Sequence, residues 1–502
     1  MLGPVGAKRG FSGLKDHGLS AQRDATVCHG VNVTLLLPTP VIKRGIAFIT
    51  TQHRESISMH RIILAVAAIF LIAATSVSAQ EKKTRDQKVR EDRQKVTSEG
   101  FWIYNDLQRA FEVAKQTGKP ILVVLRCIPC EECVKLDDEL VDRDPVLRPL
   151  LEKFVCLRIV STNGLDLSLF QFDTDQSFAV FMLNADRTIY GRFGTRSHRT
   201  DWIGDVSLKG LADALTGALE LHKDYPSNAA ALFSKTGPAP LFGHPEEFPA
   251  LKDKFTSSLN YEGDVAKSCI HCHQIGDAVR DYHLAKGEVL PASVLNPYPH
   301  PKSLGLILDP DHRATVKGVQ QDSIAANSGF QPGDKIVSLQ GQPLLSMADL
   351  QWVLHSTSPE GGELKAIVNR NGTDAEVTIS LPGKWRELDD ISWRVSSWGL
   401  RRMVTGGMLL VPVKNEERGK DGIPSQGMAL RVKHLGLHAP HDAAKRAGFQ
   451  KDDIIVAYDG RNDLLTDSDV LRHGVTQYKP GDEIQLEVIR GGTRQSFNLV
   501  FQ

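Results

Sequence analysis

Two short stretches carry residues whose types and spacing can do chemistry. In Cys127-Ile-Pro-Cys130-Glu-Glu-Cys133, Cys130 and Cys133 form one CxxC, and Cys127 forms an overlapping one with Cys130. Thiols three residues apart suit disulfide exchange, because the first attacks as thiolate and the second resolves the mixed disulfide. The other stretch is Cys269-Ile-His-Cys272-His273. In an exported chain this pattern reads as the attachment site of a covalent haem c: both thiols reach the porphyrin vinyls and His273 lies under the iron. Two other readings stay open, a zinc site lacking a fourth ligand nearby and a simple disulfide. No methionine lies between Met182 and Met347, so a sixth iron ligand would come from His283, His300 or His312, unless the iron is five-coordinate.

The chain that must position these residues has 502 of them, enough for three or four domains. Lys+Arg and Asp+Glu both total 60. A balanced charge gives no electrostatic footprint for nucleic acid and argues against that partner. Export is indicated by MHRIILAVAAIFLIAATSVSAQ from Met59. An arginine precedes 13 apolar residues, Ile62 to Ala74, and Val77-Ser-Ala79 offers a cleavage site. The run is short for a membrane span, which needs about 20 residues. The expectation is therefore a periplasmic or otherwise extracytoplasmic protein, membrane-anchored only if this segment stays uncleaved. Residues 1–58 read as an upstream extension, 59–79 as the signal peptide, and 80–99 as a charged tether or short helix.

From Gly100 the pattern becomes that of an α/β domain. Asp106–Gln116 has helical spacing and Gly118-Lys-Pro120 stops it; Ile121–Leu125 is a continuous apolar run, the mark of a strand buried on both faces. Cys130 then opens the next helix, where free N–H groups and the dipole favour thiolate. Strands are expected at Phe154–Val160, Phe178–Leu183 and Thr188–Phe193, with a helix near Leu208–Leu221. This order resembles the thioredoxin fold over residues 100–222. The resemblance implies Cys130 as attacking and Cys133 as resolving cysteine. Pro129 replaces the family's tryptophan, and Ser177-Phe178 stands where the family has a cis-proline. Cys156, within an apolar strand, reads as a small buried hydrophobe.

Residues 223–302 show little periodicity and read as a linker around the CxxCH motif. Beyond them lies an internal repeat: IAANSGFQPGDKIVSLQGQPL (Ile324–Leu344) matches DAAKRAGFQKDDIIVAYDGRND (Asp442–Asp463) in order. Helices at Met347–Leu354 and Ser468–Gly474 and glycine-containing hairpins follow each copy. The repeat resembles PDZ domains of the bacterial HtrA-like type, at 303–383 and 426–502, joined by a Trp-containing connector, 384–425. The resemblance implies capture of C-terminal peptides or protein clients by strand addition. It places the carboxylate-binding loops at Leu304-Gly305-Leu306 and Met428-Ala429-Leu430. Trp393 and Trp398 of the connector are expected to pack on a neighbouring domain. No G-[ND]-S-G-G element is found, so serine proteolysis is not expected.

The fold class expected is thus multidomain: a thioredoxin-like α/β domain, a haem-motif linker, and two small PDZ-like β-barrel domains. The order resembles that of a family of secreted thioredoxin-like/PDZ (seleno)proteins, which implies redox chemistry. The function expected is a thiol–disulfide oxidoreductase with a c-type haem and PDZ-recruited clients. The alternative is a non-catalytic haem-bearing PDZ adaptor with an inactive thioredoxin-like domain.

Overall fold

A computed structural model describes residues 83–126, 128, 144–176, 178–195 and 205–502. The upstream extension, the signal segment, Cys127, Cys130, Cys133 and Ser177 lie outside the described residues. Lys82–Gln502 forms one compact unit.

The charged segment after the signal is a helix, α1 (Arg85–Glu99), started by a Thr84 capping box and stopped by Gly100 in the left-handed conformation. It is docked by Val89 and Val96, each 1 % exposed. The first sheet has strands β1 (Ile103–Tyr104), β2 (Ile121–Arg126), β3 (Val155–Ile159), β4 (Phe178–Leu183) and β5 (Ile189–Thr195), in the order β1-β3-β2-β4-β5. Central β2 runs parallel to β3 and antiparallel to β4, with Val123 beside both Leu157 and Phe181. Alternation divides its side chains between two layers. Ile121, Val123 and Leu125 meet Ala110 and Phe111 of α2 (Leu107–Thr117), whereas Leu122 and Val124 meet Leu211, Ala214 and Leu215 of α3 (Leu208–Lys223). These elements match the expected order within two residues at each end.

The expected linker 223–302 is folded. Phe248, Leu251, Ile270 and Ile275 complete the same core layer as Val123 and Phe181. The signal missed in the sequence is diffuse: single apolar residues in short turns leave no period to read. The motif sits where this segment becomes helical, at the start of α4 (Cys272–Ala285).

The first repeat has β6 (Leu306–Leu308) paired to β7 (Val316–Val319), then β8 (Lys335–Leu339), β9 (Gln342–Pro343), helix α5 (Met347–Ser356), and the hairpin β10 (Gly362–Arg370) and β11 (Thr373–Leu381). The connector supplies α6 (Ser397–Thr405). The second repeat then has β12 (Met408–Pro412), β13 (Leu430–Leu435), β14 (Ile454–Tyr458), α7 (Asp467–Gln477), β15 (Glu483–Arg490) and β16 (Thr493–Val500). Its five strands hydrogen-bond in chain order, so β12, from the connector, joins the sheet of the second repeat.

Buried ion pairs fasten these parts together. Asp349 of α5 accepts from the Arg192 N–H of β5 and pairs with Lys235 at 2.9 Å, both side chains 1 % exposed. In return Ser346 donates to the Arg192 carbonyl. A helix thus covers the free edge of β5, which would otherwise invite pairing with another chain. From the connector, Arg394 reaches Asp173 (2.7 Å) and Asp175 (3.3 Å) of the first domain. Its charge and the Ser396 bonds outweigh burial and hold Asp175 below the usual carboxylate range. Trp393 lies beneath the Arg394 guanidinium, and Trp398 sits edge-on to His434 of the second repeat. Trp398 thus packs on a neighbouring domain as expected, whereas the contact of Trp393 is with the next residue of its own connector.

Candidate functional site

The expected catalytic run begins where β2 ends. Arg126, its last residue, is 6 % exposed and pairs with Asp92 of α1 at 2.9 Å; Arg158 of β3 reaches the same carboxylate at 3.2 Å. Ile128, between Cys127 and Cys130 in sequence, packs with Val89, Val160 and Val265. Val265 belongs to the turn before Cys269, and its carbonyl accepts from the Cys269 thiol at 3.4 Å. The backbone entering the first cysteine run and the turn carrying Cys269 are therefore packed neighbours. Sequence alone gave no sign of that.

At the CxxCH motif, Cys269 is 4 % exposed and Cys272 is half-buried against the core that holds Ile275. Burial pushes the Cys269 thiol up to about 11 and Cys272 up to about 12. Cys272 is the first residue of α4, where the helix dipole favours thiolate, yet desolvation outweighs it. Both are free thiols. His273 points the other way, half-exposed, its Nδ1 3.4 Å from Asp277. Its ring is stacked on that of His271, which burial and the neighbouring His273 push down to about 4.

A covalent haem needs both sulfurs and the histidine ring to converge on one porphyrin. Here the Cys272 thiol faces the packed core, and His273, one residue round the helix, faces solvent. The expected sixth ligands lie apart from the motif. His283 lies on the same helix, α4, roughly 15 Å along it from His273, too far for both to meet one iron. Its ring faces Glu288 at 2.7 Å. His300 is 2 % exposed, accepts from the Lys302 N–H, and faces Asp205 of the first domain at 3.3 Å. His312 lies at the first repeat's surface, 3.5 Å from Lys209 of α3. Among the described residues no group of three or more His, Cys, Asp or Glu could hold a metal.

The first repeat's loop is a 3₁₀ turn, Pro301–Leu304, closed by Gly305 at φ +82. A Cβ there would lie 2.2 Å from Ser323, so glycine is required. Leu304 and Leu306 are core side chains, 3 % and 2 % exposed, so only their backbone can serve a ligand. Among the described residues, the strand edge beside this loop, β6, pairs with no strand on the side away from β7.

The second repeat corrects the sequence reading. Met428, Ala429 and Leu430 are fully buried, and Leu430 pairs with Pro412 on one side and Ile455 on the other. A strand with two partners cannot accept a third. The register identifies the true counterpart. Gly305 bonds to Gln320 and Gly407 bonds to Gly436, each followed after one bonded pair by a bulge. Hence β12, not β13, corresponds to β6, and Gly407-Met408 corresponds to Gly305-Leu306. The overlooked signal was Gly406-Gly407 before an apolar MLLVP, hidden by the long insertion 413–427.

Comparison with known proteins identifies the domains. A family model described as thioredoxin-like matches residues 102–185, and a PDZ domain model matches 295–381 and 424–500. The chain contains a thioredoxin-like domain and two PDZ domains. It is 32% identical over 184 residues to "Periplasmic pH-dependent serine endoprotease DegQ" of Escherichia coli, covering 37% of this chain and 35% of that protein. It is 24% identical over 188 residues to a "Probable periplasmic serine endoprotease DegP-like" of Pseudomonas savastanoi, covering 37% and 36%. The chain thus spans about a third of the length of these curated relatives. A solved structure, "HtrA-type protease AlgWS227A with decapeptide", is 14% identical over 28% of this chain and 48% of that one, with a TM-score of 0.18. Among the described residues no helix is long and apolar enough to cross a membrane.

Proposed function

We propose that this protein is an extracytoplasmic thiol–disulfide oxidoreductase that holds its clients through a PDZ domain. The observation carrying this reading is the joint between β5 and α5. It fixes the first PDZ repeat to the sheet whose central strand leads into Cys130 and Cys133. A client held on one would be presented to the other within a single compact unit, which raises its effective concentration at the thiols.

The chemistry is carried by Cys130 and Cys133. The Cys130 thiolate attacks a client disulfide; the S–S bond breaks, a mixed disulfide forms and one client thiolate leaves. Cys133 attacks the Cys130 sulfur, freeing the second client thiol and leaving a Cys130–Cys133 disulfide. Two electrons pass to the client, and an external thiol reductant restores the pair. The periplasmic relatives and the signal-like segment at Met59 support the compartment. No role is assigned to a haem. The test is reduction of insulin disulfides: Cys130→Ser should abolish activity, and a variant with full activity would exclude the mechanism.

A further inference from the structure

The two PDZ repeats share a hydrogen-bond register, which allows their peptide edges to be compared residue by residue. We propose that the groove of the second repeat is closed by the chain's own α6 and takes no peptide, so that capture falls to the first repeat. This rests on the peptide-recruiting role argued above.

In the first repeat, Gly305 and Asp309 bond across to Gln320 (2.8 Å) and Thr315 (2.7 Å). Alternation then turns the backbone groups of Leu306 and Leu308 outward, and among the described residues no hydrogen bond reaches them. The corresponding residues of the second repeat are Met408 and Leu410, and both outward groups are already used. The Thr405 hydroxyl, shared with the Arg401 carbonyl at 3.0 Å, donates to the Met408 carbonyl at 2.8 Å, and the Leu410 N–H donates to Asp467 at 3.1 Å. An incoming strand needs that acceptor and that donor.

The side chains close the groove as well. Asp467, 3 % exposed, is held by Arg401 of α6 at 2.7 Å. Val404 of α6 is fully buried against α7 at Gly474, where a Cβ would lie 2.3 Å from it. The Tyr458 hydroxyl fixes the Val404 carbonyl at 3.0 Å. At the matching positions of α5 the first repeat has Met347, which offers no carboxylate, and Leu354. Where the second repeat has the nine-residue α6, the first has only the four-residue turn Pro301–Leu304.

The test uses the full chain and a fluorescein-labelled pool of decapeptides ending in a free apolar residue, read by anisotropy. Proline is placed where the outward N–H is lost but no ladder bond is broken, as Leu308→Pro or Leu410→Pro. One peptide per chain is expected. Leu308→Pro should weaken binding at least about tenfold, and Leu410→Pro should leave it within about twofold. Two sites per chain, or loss of binding in Leu410→Pro alone, would overturn the proposal. Hydrogen exchange on the unmodified protein provides an independent reading. The Leu410 amide should exchange at least about a hundredfold more slowly than Leu308. Equal rates would refute the closure even if the variants fail to fold. No peptide bound by any form, with Leu410 still protected, would instead refute peptide recruitment and leave the closed groove standing.

Discussion

The two PDZ repeats show how one fold is kept while its use diverges. Each buries an aspartate clamped by an arginine from the following hairpin: Asp334 by Arg370 and Asp453 by Arg490, both at 2.7 Å. In each, that arginine also donates to a glycine carbonyl, Gly329 or Gly448, at 2.9 Å. Each helix is started by an aspartate in its first turn, Asp349 or Asp469, accepting from backbone N–H groups. The residues holding the repeat together match; those facing neighbours do not. Asp349 also anchors the thioredoxin-like domain, whereas Asp469 does little beyond capping and a part-exposed contact with Arg472.

Substitutions at matched positions sharpen that contrast. Asp349→Ala strands the buried Lys235 and should destabilise the chain by about 3–5 kcal/mol in guanidinium unfolding, whereas Asp469→Ala should lose about 1 kcal/mol. Equal losses would mean that the interdomain joint contributes nothing.

The next contrast is in acid. His355 of α5 occupies the position of Val475 in α7 and is stacked on Tyr298 at 4.0 Å. Burial, reinforced by Arg386, Arg394 and Arg192, pushes its imidazole down to about 3. An unfolded histidine takes its proton near pH 6.5, so the unfolded chain binds more protons between those values. Stability is therefore whole above about pH 6.5 and falls towards pH 3, by roughly 3 kcal/mol at pH 4 from this group. His355→Gln keeps an acceptor for the Tyr298 N–H and should flatten the decline by that amount. An unchanged slope would remove His355 as its source.

Removing the shared clamp should affect both repeats alike. Asp334→Ala and Asp453→Ala should each destabilise by about 2 kcal/mol, below the range for a fully buried pair because the arginines reach solvent. Strongly unequal losses would break the equivalence of the two copies. The smallest effect concerns thiols: Cys269 and Cys272 should resist a maleimide reagent in the folded protein and react once it is unfolded. If they stay unreactive after unfolding and reduction, they are covalently occupied, as attachment of a haem would make them.

Strong local periodicity made much of this fold legible in sequence. Ile121–Leu125 reads as a doubly buried strand, and the repeated G-F-x-x-x-D-x-I segment marks both PDZ copies. What escaped was set by distant packing. The segment 223–302 folds because isolated residues such as Phe248 and Ile275 fill a core layer built elsewhere. The strand β12 was missed because its partner β13 lies beyond a long insertion. At the CxxCH motif the spacing is right for haem, but spacing cannot report how deeply each thiol is buried.

Exchange between Cys130 and a client disulfide passes through a mixed disulfide that can be trapped. Cys133→Ser leaves the attacking thiol without its resolver, so incubation with oxidised insulin should accumulate a mixed disulfide, seen by non-reducing mass spectrometry as one adduct on the Cys130 peptide. No adduct, or one mapped to Cys269 or Cys272, would contradict the account.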